Sequence, residues 1–462
     1  MTFPDSNVTN FISKRARARA IDPAFNSVGF GKAHDKGVAP INLGYGMPDQ
    51  SFFPIKSLQV NLQDSSFEVP RETANRQEID LKTGLQYASP YGHPSLLKYT
   101  REIIERIHSP ANDRWDTVIT AGGANGIDKC FDLLLDEGDT VLIEEYTFVP
   151  ILGSVKNIGA TVVPLKFDFQ SQSGLDIEYL AYVLENWESL YPGKRFPKVL
   201  YTIPNGQNPT GFVTDLKSKQ KIYDICVQND IFIIEDDPYG YLELATDKPF
   251  DDVEEYLKSL PTSYLSVDKH SRVLRIESFS KVFAPGSRLG FIVAHKDFIE
   301  PITNYSVLAT GFPSGPSQIL INNTITALGG LDGWFKWAIK VRNEYWSRKQ
   351  AAMKQLLQSS CAKKDQLIVF EPKAGMFISV SLNFPPGSNC LELMSKLSEK
   401  TAQHGVTVVP YQTLSPIPDF TKDNCHYVRL TIASAIDHGQ LKEAFRRFTS
   451  AVEDLFQDLE SS

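Results

Sequence analysis

Ser278-Phe279-Ser280-Lys281-Val282-Phe283-Ala284-Pro285-Gly286-Ser287-Arg288-Leu289-Gly290 follows a β-rich run, Val273–Ile276. A lysine beside two hydroxyls is, by itself, an ordinary solvated loop. Here a Pro-Gly pair and an arginine seven residues on accompany it, and apolar neighbours surround it. An enclosed lysine loses its proton more readily than an exposed one. A neutral amine can form an imine with an aldehyde. Lys281 is therefore the candidate nucleophile.

Outward from this stretch, short β-rich runs alternate with helical segments. The runs are Thr117–Thr120, Thr140–Ile143, Thr161–Leu165, Val199–Ile203, Ile231–Ile234, Val273–Ile276 and Gly290–Ala294. Several are continuously apolar, as strands covered on both faces are. Between them, Ile127, Phe131, Leu134 and Leu135 share one helical face, and Ile222, Ile225 and Cys226 share another. This alternation predicts a three-layer α/β domain with a mainly parallel sheet.

Gly311-Phe312-Pro313-Ser314-Gly315-Pro316 breaks the pattern. A helical stretch over 317–358 follows, interrupted at Gly329-Gly330. Then come strands at Met376–Leu382, Thr407–Val409 and Val428–Ile432 and a last helix at His438–Leu455. The expected organisation is an N-terminal arm and substrate-side segment (1–60), a large α/β domain (61–310) and a smaller α+β domain (311–462).

Bulk properties narrow the function. The 462 residues are 42% hydrophobic and carry a net charge of −8, which disfavours nucleic-acid binding. No apolar run approaches the roughly 20 residues of a membrane span. The five scattered cysteines read as free thiols in a reducing compartment, and the histidines show no metal-ligand spacing. Lys14-Arg15-Ala16-Arg17-Ala18-Arg19 reads as a mobile surface arm, with a nuclear or mitochondrial address as the alternative. The cytosol is the default compartment.

Four further stretches carry candidate site residues. Pro204-Asn205-Gly206-Gln207-Asn208-Pro209-Thr210-Gly211 follows a strand and by itself reads as a turn. Glu235-Asp236-Asp237-Pro238-Tyr239 places acids at a strand's C-terminal end, where open α/β sheets bind ligands. Thr120-Ala121-Gly122-Gly123-Ala124-Asn125-Gly126 precedes a helix whose N-terminal amides suit an anion, and it lacks the ending of a P-loop. Tyr427-Val428-Arg429-Leu430-Thr431 places an arginine inside a strand, where charged residues rarely sit without a partner; by itself it reads as a snorkelling edge residue.

Together these stretches resemble the class I/II aminotransferases, the fold type I enzymes that use pyridoxal 5'-phosphate. The resemblance spans roughly residues 40–440, with the motifs in the expected order. It implies that Lys281 holds the cofactor as a Schiff base and later moves the substrate α-proton. It assigns Ser278, Arg288, Gly123 and Ala124 to the cofactor phosphate, and Asn208 and Tyr239 to its phenolic oxygen. Asp236 is assigned to the pyridine nitrogen, with Asp237 the less favoured partner. Phe148 is assigned to the ring face, with Tyr146 as competitor. Tyr87, in Leu85-Gln86-Tyr87 ahead of Gly92-His93-Pro94, resembles the residue that reaches the partner subunit's phosphate. That implies a homodimer with shared active sites.

On the substrate side the resemblance implies Arg429 as the clamp for the α-carboxylate, with Asn208 and with Gly46 and Met47 of Leu43-Gly44-Tyr45-Gly46-Met47-Pro48 as further contacts. The stretch Tyr201–Gly211 and the run Glu235–Tyr239 look most like the fungal aromatic and the 2-aminoadipate or kynurenine aminotransferases. Some members place an arginine after a proline of the arm; this sequence has Pro23-Ala24-Phe25, which favours aromatic or apolar substrates. The implied reaction moves an amino group from an aromatic or 2-aminoadipate-like amino acid to 2-oxoglutarate. A lyase or synthase of the same fold is the rival activity. A non-catalytic regulator is the rival class, and it would need an N-terminal DNA-binding module for which there is no room before Tyr45.

Overall fold

The structure is a computed structural model and describes residues 7–19 and 46–461. The stretches Pro23–Phe25 and Leu43–Tyr45 lie outside the described residues.

A seven-stranded sheet organises the first part of the chain. Its strands are β1 (Trp115–Thr120), β2 (Thr140–Glu144), β3 (Thr161–Leu165), β4 (Pro197–Thr202), β5 (Phe232–Asp237), β6 (Val273–Ser278) and β7 (Gly290–His295), in the spatial order β1-β7-β6-β5-β4-β2-β3. Five neighbouring strands are parallel, and β7 runs antiparallel to both β6 and β1. All seven anticipated runs are strands. Most extend beyond the apolar run by one to three polar residues, because a ladder continues wherever the backbone finds a partner, whatever the side chain.

Helices cover both faces. Helix α1 (Pro94–His108) and helix α3 (Leu216–Gln228) lie on one face, helix α2 (Gly123–Leu134) on the other. Lys219 of α3 and His108 of α1 reach Asn205 and Glu277 on the first face. Phe131 of α2 meets Tyr201 on the second, with ring centroids 5.8 Å apart. This is the expected three-layer α/β arrangement. Helix α4 (Lys296–Ala309) packs against α2. It is absent from the sequence reading, where Pro301 within it masks the helical period.

A four-stranded antiparallel sheet follows: β8 (Leu367–Phe370), β9 (Phe377–Leu382), β10 (Val409–Pro410) and β11 (Tyr427–Thr431), in the order β8-β9-β11-β10. Two helices, α5 (Leu331–Gln358) and α6 (His438–Glu460), pack on each other beside it. The strand expected at Thr407–Val409 is reduced to Val409–Pro410, the two residues that pair with Arg429 and Val428 of β11.

The N-terminal expectation needs correction. Lys14–Ala18 is not a free surface arm but a docked helical turn. Ser13 caps it by accepting from the Ala16 amide, and the Ser13 amide donates to Leu133 of α2. Arg15 pairs with Asp132 at 2.6 Å, and Arg19 also engages Asp132. The basic residues that suggested solvation are held by one acid on α2 and by backbone carbonyls near it. Among the described residues no helix is long and apolar enough to cross a membrane.

Candidate active site

Strand parity builds the site. Successive side chains on a strand point to opposite faces. On β5, Asp236 faces α2, while Glu235 and Asp237 face the other way. Register places Asp236 beside Ile276 of β6, and Glu235 and Asp237 beside Arg275 and Glu277. Arg275 accordingly binds Glu235, Asp237 and Glu277 in a buried cluster behind the sheet. Asp237 is consumed there, also accepting from Asn205. Only Asp236 opens toward the cavity at the strands' C-terminal ends, while Asp237 faces the cluster behind the sheet.

That cavity is lined by Gly123, Ala124, Phe148, Asn208, Asp236, Tyr239, Ser278, Lys281 and Arg288, with Ile127, Ile203, Pro238 and Ser280. Nine residues from five separate segments thus converge as the sequence led one to expect. Tyr146 does not join them. It is fully buried, donates to the Asn424 carbonyl and packs against Tyr411 and Phe167.

Each wall has a local cause. Strand β6 ends at Ser278, and a single helical turn, Phe279–Lys281, swings the lysine across the opening. The Lys281 ammonium lies 5.9 Å from the Tyr239 ring centre. Burial, reinforced by the Arg288 charge, lowers its pKa, against the opposing pull of Asp236. Arg288 sits in the left-handed region at φ 46°. Its guanidinium lies so near Gly122 that a Cβ there would come within 2.9 Å of it. Gly122, at φ 88°, is the N-cap of α2 and gives the first turn no side-chain cap. The leading amides of α2 are therefore available to an anion between Ser278 and Arg288.

Burial pushes the Asp236 carboxyl up to about 7, against the hydrogen bond from Tyr201. Burial also raises the Tyr239 phenol. Arg429 lies on β11 and reaches the cavity through Asn208, whose Oδ1 accepts from Arg429 Nη1 at 2.8 Å. Its guanidinium also stacks on Phe377, 4.4 Å from the ring centre. Strand β11 lies between β9 and β10, so Arg429 is not an edge residue. Among the described residues no carboxylate pairs with it.

Four anticipated residues are not on the walls of this chain's cavity, Arg429 behind Asn208 among them. Gly46 and Met47 are exposed. Tyr87 is 64% exposed and meets Phe312 edge-on at 5.8 Å. Two residues that hold the site were not anticipated. Gln207 donates to Glu144 and the Tyr146 carbonyl and accepts from Thr210, tying the Asn208 loop to the Phe148 loop. Tyr201 lies behind Asp236.

Glu145, two residues before Thr147-Phe148, offers a test of the loop's electrostatics. It is buried and accepts from the Phe167 amide at 2.8 Å. Burial pushes its pKa up to about 7, beyond the lowering by that amide and by Lys166. The unfolded chain releases this proton near 4.5 and the folded chain near 7, so ionisation opposes folding increasingly across that window. Glu145→Gln keeps the acceptor and removes the charge. At pH 8 it should stabilise the protein by ~2 kcal/mol in urea unfolding, and by little at pH 4.5. An equal gain at both pH values contradicts this account.

The family description "Aminotransferase class I and II" matches residues 58–448. The chain is 34% identical to "Aromatic amino acid aminotransferase 2" of Saccharomyces cerevisiae, over 98% of this chain and 97% of that one. It is 29% identical to an "L-tyrosine:2-oxoglutarate aminotransferase" of Serpula lacrymans, over 88% of this chain and 84% of that one. Its structure resembles the crystal structure of the aminotransferase Aro9 from C. albicans with ligands, at a TM-score of 0.94 and 41% identity, covering 98% and 99% of the two chains.

Proposed function

The chain belongs to the class I and II aminotransferases, and from that membership we propose that it moves the amino group of an aromatic amino acid to 2-oxoglutarate, with Lys281 as the covalent carrier of the cofactor. Pyridoxal phosphate, the cofactor of this family, supplies an electron-accepting ring for the charge left on the substrate α-carbon. The convergence of Lys281, Asn208, Asp236, Tyr239, Ser278 and Arg288 on one cavity is the observation that carries the reading.

The residues fit that group. The uncapped α2 amides at Gly123 and Ala124, with Ser278 and Arg288, suit the phosphate. Asp236 is a buried carboxylate with one oxygen engaged by Tyr201 and the other side open to the cavity, so it suits a protonated ring nitrogen. Asn208 and Tyr239 would hold its phenolic oxygen, and Phe148 would cover a ring face. The lowered pKa of Lys281 leaves more of its amine neutral, able first to attach and then to take and return a proton at the substrate α-carbon. Arg429 binds the α-carboxylate beside Asn208.

The same proposal includes a homodimer in which Tyr87 completes the partner's phosphate site and Gly46 and Met47 face substrate. The exposure of Tyr87, Phe52, Met47 and Leu308 supports such a covered surface. It also includes the division at about residues 60 and 310, the second of which is supported by the separation of the two sheets. A cytoplasmic location is supported by five free thiols and by the docked Lys14–Arg19 stretch, which is engaged within the chain.

The experiment is a donor panel against 2-oxoglutarate: tyrosine, phenylalanine, tryptophan, kynurenine, 2-aminoadipate and leucine. The kcat/KM for the best aromatic donor should exceed that for leucine by at least about tenfold, the discrimination one or two apolar contacts supply. Release of ammonia without consumption of an oxo acid contradicts transamination. A preference for 2-aminoadipate contradicts the aromatic assignment.

A further inference from the structure

We propose that Tyr201 is a positioning residue for amino transfer, holding the Asp236 carboxylate in the orientation from which it meets the cofactor's ring nitrogen. This rests on the assignment of Asp236 made above.

Tyr201 lies on β4 in register with Ile234 of β5, so its ring shares the α2 face with Asp236. Its hydroxyl donates to Asp236 Oδ2 at 2.6 Å. Tyr201 is fully buried, and its ring is tilted against Phe131 of α2. It cannot turn away without opening the packing between sheet and helix. Oδ2 is thus fixed from behind, and the carboxylate presents its remaining acceptor capacity to the cavity that it lines. A carboxylate with one oxygen pinned has a single orientation to offer, whereas a free one rotates about its Cβ–Cγ bond.

The contact has a second consequence. A hydroxyl donating to the ionised form favours that form. The Tyr201 bond opposes the burial that raises the Asp236 pKa, as does the Arg275 charge behind the sheet; Asp237 and Glu277 act the other way. Tyr201 is the donor to Asp236 that comes from its own face of the sheet. It touches neither Lys281 nor the phosphate-binding helix end through any hydrogen bond. Its influence on the reaction therefore runs through Asp236.

A four-protein comparison separates the possibilities: the parent, Tyr201→Phe, Asp236→Asn and the double variant. For each, the dissociation constant of pyridoxal phosphate is measured by equilibrium dialysis on the cofactor-free protein, with kcat and KM for the amino donor alongside. Tyr201→Phe should weaken cofactor binding about tenfold and lower kcat with little change in KM. In the Asp236→Asn background the same substitution should change binding less than about twofold. A loss of equal size in both backgrounds overturns the inference, because a merely structural tyrosine acts whatever stands at 236. Parent-like binding by Tyr201→Phe overturns it also, while weak binding by Asp236→Asn leaves the Asp236 assignment intact. Parent-like binding by Asp236→Asn overturns that assignment and the inference with it. Should the phenylalanine variant not fold, Tyr201→Leu, which likewise lacks a donor, carries the same comparison under the same criterion of background dependence.

Discussion

Lys281→Ala should lower amino transfer about 10⁴-fold or more and leave a protein from which the cofactor is lost on denaturation after borohydride reduction. Two separate contributions vanish together. The first is covalent retention, which the parent should show as a reduced adduct on the peptide containing Lys281. The second is the proton carrier at the substrate α-carbon, for which the cavity offers no equivalent amine. The other titratable groups on its walls are Asp236, Tyr239 and Arg288. Asp236 is engaged by Tyr201, burial holds Tyr239 protonated, and a guanidinium stays charged. The phosphate-binding elements do not depend on Lys281, so non-covalent cofactor binding should persist. Measurement is by single-turnover kinetics and mass spectrometry of the reduced, digested protein. A Lys281→Ala protein that still retains reducible cofactor and transaminates like the parent would falsify the assignment.

How legible the site was depends on how each residue is carried. The Lys281 segment was legible because lysine, serines, Pro-Gly and arginine lie within one contiguous stretch, and the short turn after β6 keeps them together in space. Asp236 was separable from Asp237 only by motif register. The physical reason, that Arg275 and Asn205 take up Asp237 on the opposite face, needs the pairing of β5 with β6. Tyr201 was not legible. Its strand is covered on both faces and reads as a continuous apolar run, so no alternation marks which residues face the cavity. The docked helix at Lys14–Ala18 was misread because charge runs are usually solvated. Asp132, its partner, lies 117 residues from Arg15 in the chain, and nothing local announces the pair. The strand–helix alternation, in contrast, is a local property of each segment, and it located all seven strands of the large sheet.

Arg429→Leu should lower kcat/KM by about 10²–10³-fold for the amino acid and for the oxo acid alike, since each brings an α-carboxylate. Arg429 carries a charge that no carboxylate answers among the described residues. Burial disfavours the Arg429 cation, which is held between the Phe377 ring and Asn208 Oδ1. Its only hydrogen bond among the described residues goes to a neutral amide, leaving most of the guanidinium fork unanswered. A planar carboxylate answers it with two parallel bonds, and in a water-poor site such a pair contributes several-fold more than at the surface. Arg429→Lys keeps the charge and loses the fork, so it should recover only part of the activity. Tyramine, which is tyrosine without the carboxylate, separates this role from a structural one. The parent should prefer tyrosine over tyramine strongly, and Arg429→Leu should nearly abolish that preference while binding of pyridoxal phosphate stays within about threefold of the parent's. Equal loss of activity toward both amines, or loss of the cofactor itself, would instead mean that Arg429 serves by holding Asn208 in place.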